Sequence, residues 1–234
     1  MNRTVVWSEG LLLTPQHFQQ WDRHLEGLIA ERCRIHDPYA WGLTDLDLDH
    51  DGLANGRFTL LKCRMVLPDG LVIDIPDEDG APPTRVFTEL FHSTLESLNV
   101  FLGLPVERSD GMTCQLSKES GSRQTRFLAE HIEVIDTTTG DNPREVLVAK
   151  KNLRIFFSGE ETADTAAVKI GELVRLPTGA VGLRDTYIPP CLWVSASPYL
   201  LRLLRGLIEL LTAKRATFSD AQRGVLELIG TDLG

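Results

Sequence analysis

Between Leu46 and Leu183 the apolar residues recur at alternate positions in short runs, and turn residues interrupt those runs at regular intervals. Alternation gives each run one face to bury and one to leave in water, a demand that antiparallel sheets meet. Leu46 and Leu48 alternate with Asp45, Asp47 and Asp49. Asp51-Gly52 and Asn55-Gly56 supply turn residues, residues 57–66 read as the return strand, and Leu67-Pro68-Asp69-Gly70 turns the chain into another run ending at Pro76. A strand follows over 98–106, with Pro105 at its end or at an edge. The strongest hairpin pattern joins 127–137 to 145–157 through 138–143, and 168–176 with 180–183 gives one more. These runs amount to about eight to ten strands, which predicts an antiparallel β-sandwich and not a βαβ fold.

Helical patterns flank the strands. Val5-Val6-Trp7 reads as a strand, Gly10 breaks it, and Thr14-Pro15 is a helix start with the hydroxyl as N-cap and proline in the first turn. Leu13 and Phe18 have the spacing of a hydrophobic staple. Phe18, Trp21, Leu25, Leu28 and Ile29 then recur at helical spacing to about Arg34. His17 and His24 lie two turns apart, too far along the axis to share one metal without a ligand between them. Near the other end, Pro189-Pro190 forces an extended exit from the sheet and Ser197-Pro198 repeats the cap-plus-proline start. Leu200, Leu204, Leu207 and Leu211 form a seam at three-four spacing, widened by Leu201, Leu203, Ile208 and Leu210, as in a bundle or an oligomeric stalk. Ser219 with Gln222 predicts the start of a separate short helix. The polar stretches 77–83 and 109–126 are expected as exposed loops, the longer of them a candidate binding loop.

Charge and motifs narrow the function. A net charge of −9 without a cluster of Lys and Arg argues against nucleic acid as a partner. Cys33, Cys63, Cys114 and Cys191 are widely spaced and show neither zinc-ribbon nor disulfide-scaffold spacing, so they are expected to be reduced, mostly buried and cytosolic. The most apolar stretch, near Leu200 to Leu211, is cut by Arg202, Arg205 and Glu209, so no membrane insertion is expected. Asp47-x-Asp49-x-Asp51-Gly52 matches the opening of a calcium loop, but its twelfth position is Phe58 where a bidentate Glu belongs. A calcium- or carbohydrate-dependent binding sandwich built on that loop and on 109–126 is the alternative reading. No nucleophile elbow, phosphate loop or zinc-helix motif occurs, so no catalytic residue, metal ligand or cofactor is assigned and no enzymatic activity is expected.

Two separated motifs carry a family resemblance. Trp7-Ser8-Glu9-Gly10 with Leu13-x-Pro15-Gln16-His17-Phe18-Gln19-Gln20, and Asp185-x-Tyr187-Ile188-Pro189-Pro190 with Ser197-Pro198-x-Leu200, resemble TssK, the baseplate subunit of bacterial type VI secretion systems. The resemblance implies a trimeric, non-enzymatic adaptor at the inner-membrane-associated baseplate in the cytoplasm. Its β-sandwich shoulder would be similar to phage receptor-binding proteins and would dock on the TssF–TssG wedge. A helical neck would follow, with a head that joins the TssL and TssM membrane complex. The implied boundaries are a shoulder over 1–190 and the start of the neck over 191–234, with the rest of the neck and the head outside this sequence. Trp7, Gln16, His17 and Gln20 become candidates for the wedge-facing surface, although a Trp at a strand-helix junction is ordinarily core. Leu200, Leu204, Leu207 and Leu211 become candidates for neck or oligomer packing.

Overall fold

A computed structural model describes residues 3–108, 111–116 and 124–231, with side chains from 220 onward outside the description. In chain order the elements are α1 (Pro15–His36), β1 (Gly42–Leu48), α2 (His50–Ala54), β2 (Arg57–Phe58), β3 (Leu60–Val66), β4 (Val72–Ile75), β5 (Arg85–Val86), β6 (Ser97–Pro105), β7 (Cys114–Gln115), β8 (Phe127–Asp136), β9 (Asp141–Lys151), β10 (Arg154–Phe157), β11 (Thr165–Arg175), β12 (Val181–Leu183) and α3 (Pro198–Thr231). The protein is mostly β, with a helix near each end. Two antiparallel sheets, β1-β3-β4 and β10-β6-β11-β12, enclose one core. Alternate residues of both sheets fill it: Cys63, Met65, Ile73 and Ile75 from the first, Leu98, Val100, Leu102, Ile155, Phe157 and Val168 from the second. Phe157 sits edge-on to Phe58 and Phe87, and these rings join the small β2-β5 sheet to the core. In β3, β4 and β6 the period-two pattern thus does what it predicts, because the apolar residues of these strands alternate into the core.

Several local readings differ from the outcome. Residues 5–7 form no strand. Asp51-Gly52 is not a hairpin turn: Asp49 accepts a hydrogen bond from the Gly52 amide at 2.9 Å and caps the single turn α2. The expected strand 57–66 divides between two sheets as β2 and β3, and 145–157 divides at Asn152-Leu153 into β9 and β10. The apolar pattern does not reveal a jump between sheets, because Phe58 and Leu60 are both buried on either side of it. Within the expected loop 109–126, β7 pairs in parallel with the start of β8; residues 109–110 and 117–123 of that loop lie outside the described residues. The short helix expected from Ser219 does not start anew, since α3 runs unbroken through that position. Continuous helical hydrogen bonding outcompetes an internal cap.

The exit from the sheets is stitched back onto β1. The Leu43 amide donates to the Pro190 carbonyl at 2.9 Å, and the Leu192 amide donates to the Leu43 carbonyl at 2.8 Å. Gly42 makes this approach possible: its φ is +128°, and a Cβ there would meet the Pro190 carbonyl carbon at 2.8 Å. A 3-10 turn over Val194–Ala196 follows, and Ser197, buried beneath it, offers its hydroxyl to the Leu200 amide at the start of α3. The first turn of α3 is therefore fixed to the sandwich, while its later turns stand in solvent.

Candidate functional site

The N-terminal helix is mounted with its polar side inward. Thr14 caps it, with His17 as the reciprocal partner: His17 Nδ1 lies 2.9 Å from the Thr14 hydroxyl and accepts from the Thr14 amide at 3.2 Å. The ring proton then belongs on Nε2, which faces away from the cap. Arg23 pairs with Glu107 at 3.4 Å, and the Ala30 methyl approaches Gly70 in the turn after β3. Arg23, Gly27 and Ala30 are half-buried, whereas Phe18, Trp21, Leu25, Leu28 and Ile29 are exposed, and no residue of α1 is fully buried. A helix that only covers a core points its apolar stripe the other way. The Glu26 carboxyl, exposed at the margin of this side, is raised above its ordinary range, first by partial desolvation and then by its neighbours Glu107 and Asp22.

Of the four candidates at this end, three are brought together. Trp7 is 49% exposed and not core. With no strand to pair with, residues 5–7 lie along α1, and the Trp7 ring packs edge-on against Trp21 with centroids 5.6 Å apart and 6.3 Å from His17. The Gln20 side-chain amide donates to the Arg3 carbonyl at 2.6 Å and ties this arm down. Gln16 is exposed one turn earlier. The sequence reading missed Trp21, Leu25 and Leu28 as surface residues because helical spacing shows that a face is apolar, not which way it points.

At the other end, Leu204, Leu207 and Leu211 are exposed, as are Leu203, Ile208 and Leu210, while Leu200 is half-buried near the start of α3. Nothing in the described chain covers this seam.

Several of the remaining polar groups are engaged in structure. Asp49 is used as a helix cap and Asp45 pairs with Lys62 at 2.6 Å, which leaves the acidic loop without the ligand geometry of a calcium site. Among the described residues no group of three His, Cys, Asp or Glu side chains is arranged to hold a metal. A shallow cavity of about 440 Å³ is lined by Arg85, Arg154, Phe156 and Glu160. Glu160 there accepts from Arg85 at 2.6 Å and from the Phe157 amide at 2.9 Å; burial alone would raise its carboxyl, but these bonds and the charges of Arg85 and Arg154 outweigh it and hold the group below its ordinary value. The Cys63 thiol is pushed up to about 12 by burial, so it is no nucleophile.

The sandwich thus turns the apolar faces of two helices to solvent. The family model described as bacterial type VI secretion, VC_A0110, EvfL, ImpJ, VasE matches residues 17–230. The type VI secretion system baseplate component TssK1 of Pseudomonas aeruginosa is 34% identical over 213 residues, 90% of this chain and 47% of that protein. Among solved structures, TssK in the TssK–TssF–TssG baseplate subcomplex superposes with a TM-score of 0.83 at 27% identity, covering 92% of this chain and 71% of that one. A crystal structure of TssK gives 0.81 at 26%, covering 94% and 49%. The chain belongs to the TssK family of type VI secretion baseplate proteins. It spans about half the length of the curated relative it matches.

Proposed function

We propose that this chain is a non-enzymatic adaptor of the type VI secretion baseplate that docks through its β-sandwich on a TssF–TssG wedge. The inverted mounting of α1 carries the reading. Its apolar stripe, with Trp7 laid over Trp21, is a ready-made hydrophobic patch rimmed by Gln16, His17 and Gln20. A related chain in complex with TssF and TssG supports the same partner here. Residues 1–190 act as the shoulder and 191–234 open the neck, in which Leu200, Leu204, Leu207 and Leu211 pack three copies together. Linkage to TssL and TssM, cytoplasmic residence and attachment at the inner membrane follow for the full-length protein. No described helix is long and apolar enough to cross a membrane.

Co-purification with the TssF–TssG wedge, with molar mass by light scattering, tests the proposal. The parent chain captures the wedge and Trp21→Asp does not, while keeping its circular dichroism. Equal capture by both moves the contact off α1, and no capture by the parent removes wedge docking from these residues. Leu204→Asp with Leu211→Asp leaves a folded shoulder and abolishes the oligomer; an unchanged mass counts against the neck assignment.

A further inference from the structure

Of the polar side chains at the rim of the α1 patch, His17 is the one that the fold both fixes and leaves with an unused donor. Its Nδ1 receives the Thr14 amide at 3.2 Å, and a backbone N–H can only donate, so this nitrogen carries the lone pair. The Thr14 hydroxyl, 2.9 Å away, can turn its proton to the same lone pair. An uncharged imidazole held in this way has a single place for its proton, Nε2. A proton on Nδ1 instead would set two N–H groups against each other across the cap.

That Nε2–H is not used inside the chain. It has no hydrogen-bond partner among the described residues, and it is not enclosed either, because the buried side-chain polar atom left unpaired among them is Asn99 Oδ1. The other rim amides differ. Gln20 directs its N–H to the Arg3 carbonyl at 2.6 Å, and Gln16 is exposed and makes no hydrogen bond among the described residues. Trp7 stands against the half-buried His17 ring, and Trp21, one helical turn on, shares the same face; both indoles are about half in water.

A surface that closes over these two indoles also closes over the Nε2–H. Left without an acceptor in that dry contact, the N–H loses its hydrogen bond to water, which lowers affinity by about tenfold or more. A surface that supplies an oxygen restores the bond, and little further ordering is needed because the cap already holds the ring. The donor is uncharged, so an uncharged oxygen satisfies it.

We propose that His17 selects the docking partner through its Nε2–H, which requires a carbonyl oxygen on the surface that covers Trp7 and Trp21. The inference rests on the reading of α1 as the wedge-facing surface, and it adds the group that the wedge presents there: a carbonyl set among apolar side chains.

Two substitutions in the full chain separate the donor from the cap. His17→Asn places an amide oxygen where Nδ1 stands, which keeps an acceptor for the Thr14 amide and removes the Nε2–H. Thr14→Ala does the reverse, since it weakens the cap while the backbone amide still fixes the ring. His17→Asn is expected to melt close to the parent and to bind the TssF–TssG wedge about tenfold more weakly by titration calorimetry. Thr14→Ala is expected to melt lower and to bind like the parent. The ratio of the parent and His17→Asn affinities should hold from low to high salt, as for an uncharged pair. Nitrogen NMR of the histidine-labelled chain at about pH 8 should show the His17 signals, identified by their loss in His17→Asn, with Nε2 protonated and Nδ1 bare.

Equal wedge binding by the parent and His17→Asn overturns the proposal and leaves the baseplate reading standing. A proton on Nδ1 overturns it as well, and so does a ratio that shrinks with salt, which assigns a carboxylate. Stability and binding lost together in both variants would reduce His17 to a helix cap. A parent that captures no wedge fails the baseplate reading itself, and the proposal with it.

Discussion

Arg126 and Asp69 meet at 2.7 Å at the foot of the β8–β9 ribbon, and the arginine side of the pair is only 6% exposed. The guanidinium also takes the Pro105 carbonyl, so a single side chain joins the turn after β3, the end of β6 and the start of β8. Arg126→Met keeps the apolar stem and leaves the carbonyl without its donor. Because Asp69 is partly in water, the expected loss is about 1–2 kcal/mol. Urea unfolding should show a lower midpoint with an unchanged slope; an unaltered midpoint would mean the root is held by Lys151 and Asp79 alone.

Two aromatic residues are expected to behave in opposite ways. Phe157 is buried against Phe58 and Phe87, so Phe157→Ala should cost about 3–5 kcal/mol. Trp7 touches Trp21 and His17 but stands half in solvent, so Trp7→Ala should cost under about 1 kcal/mol while lowering wedge capture. Thermal unfolding of both variants decides this, and a large loss of stability in Trp7→Ala would return the residue to a structural role.

The sheets were legible because alternation of the kind seen in Leu98, Val100, Leu102 and Leu104 leaves few alternatives. Turns were legible where glycine marked them, as at Gly70 with its φ of +93°. What could not be read was placement between elements. Phe58 and Leu60 belong to different sheets although both are buried, and Leu153 sits where one strand ends and another begins. The orientation of α1 was equally hidden, since it depends on Arg23 meeting Glu107 far along the chain. Trp7, His17 and Gln20 were reached through the motif resemblance, whereas Trp21 and Leu25 needed the structure.

Cysteine chemistry separates buried from exposed sites. Cys33 lies exposed on α1, while Cys63 is fully enclosed with its thiol pushed up to about 12, first by burial and then by Asp45 and Asp74. A maleimide at neutral pH should label Cys33 in the folded protein and Cys63 only after denaturant is added. Peptide mapping after alkylation reads both positions, and native-state labelling of Cys63 would contradict the packing of β3.

Acid should loosen the β5–β10 junction through Glu160. Its carboxyl is held below its ordinary value of 4.5 by the Arg85 hydrogen bond, the Phe157 amide and the nearby guanidinium charges, against the opposing effect of burial. A carboxyl whose folded value is depressed binds fewer protons in the native state than in the unfolded one. Its contribution is therefore complete above 4.5, declines as pH falls through the folded value, and is absent in stronger acid. Glu160→Gln removes the charge and keeps an oxygen acceptor for Arg85. The parent should unfold at a higher urea concentration than this variant at pH 7, and the gap should narrow steadily below about pH 4.5. A gap that is constant from neutral pH to pH 3 would show that the Arg85 contact works through shape and neutral hydrogen bonding, with no share from the ionised carboxylate.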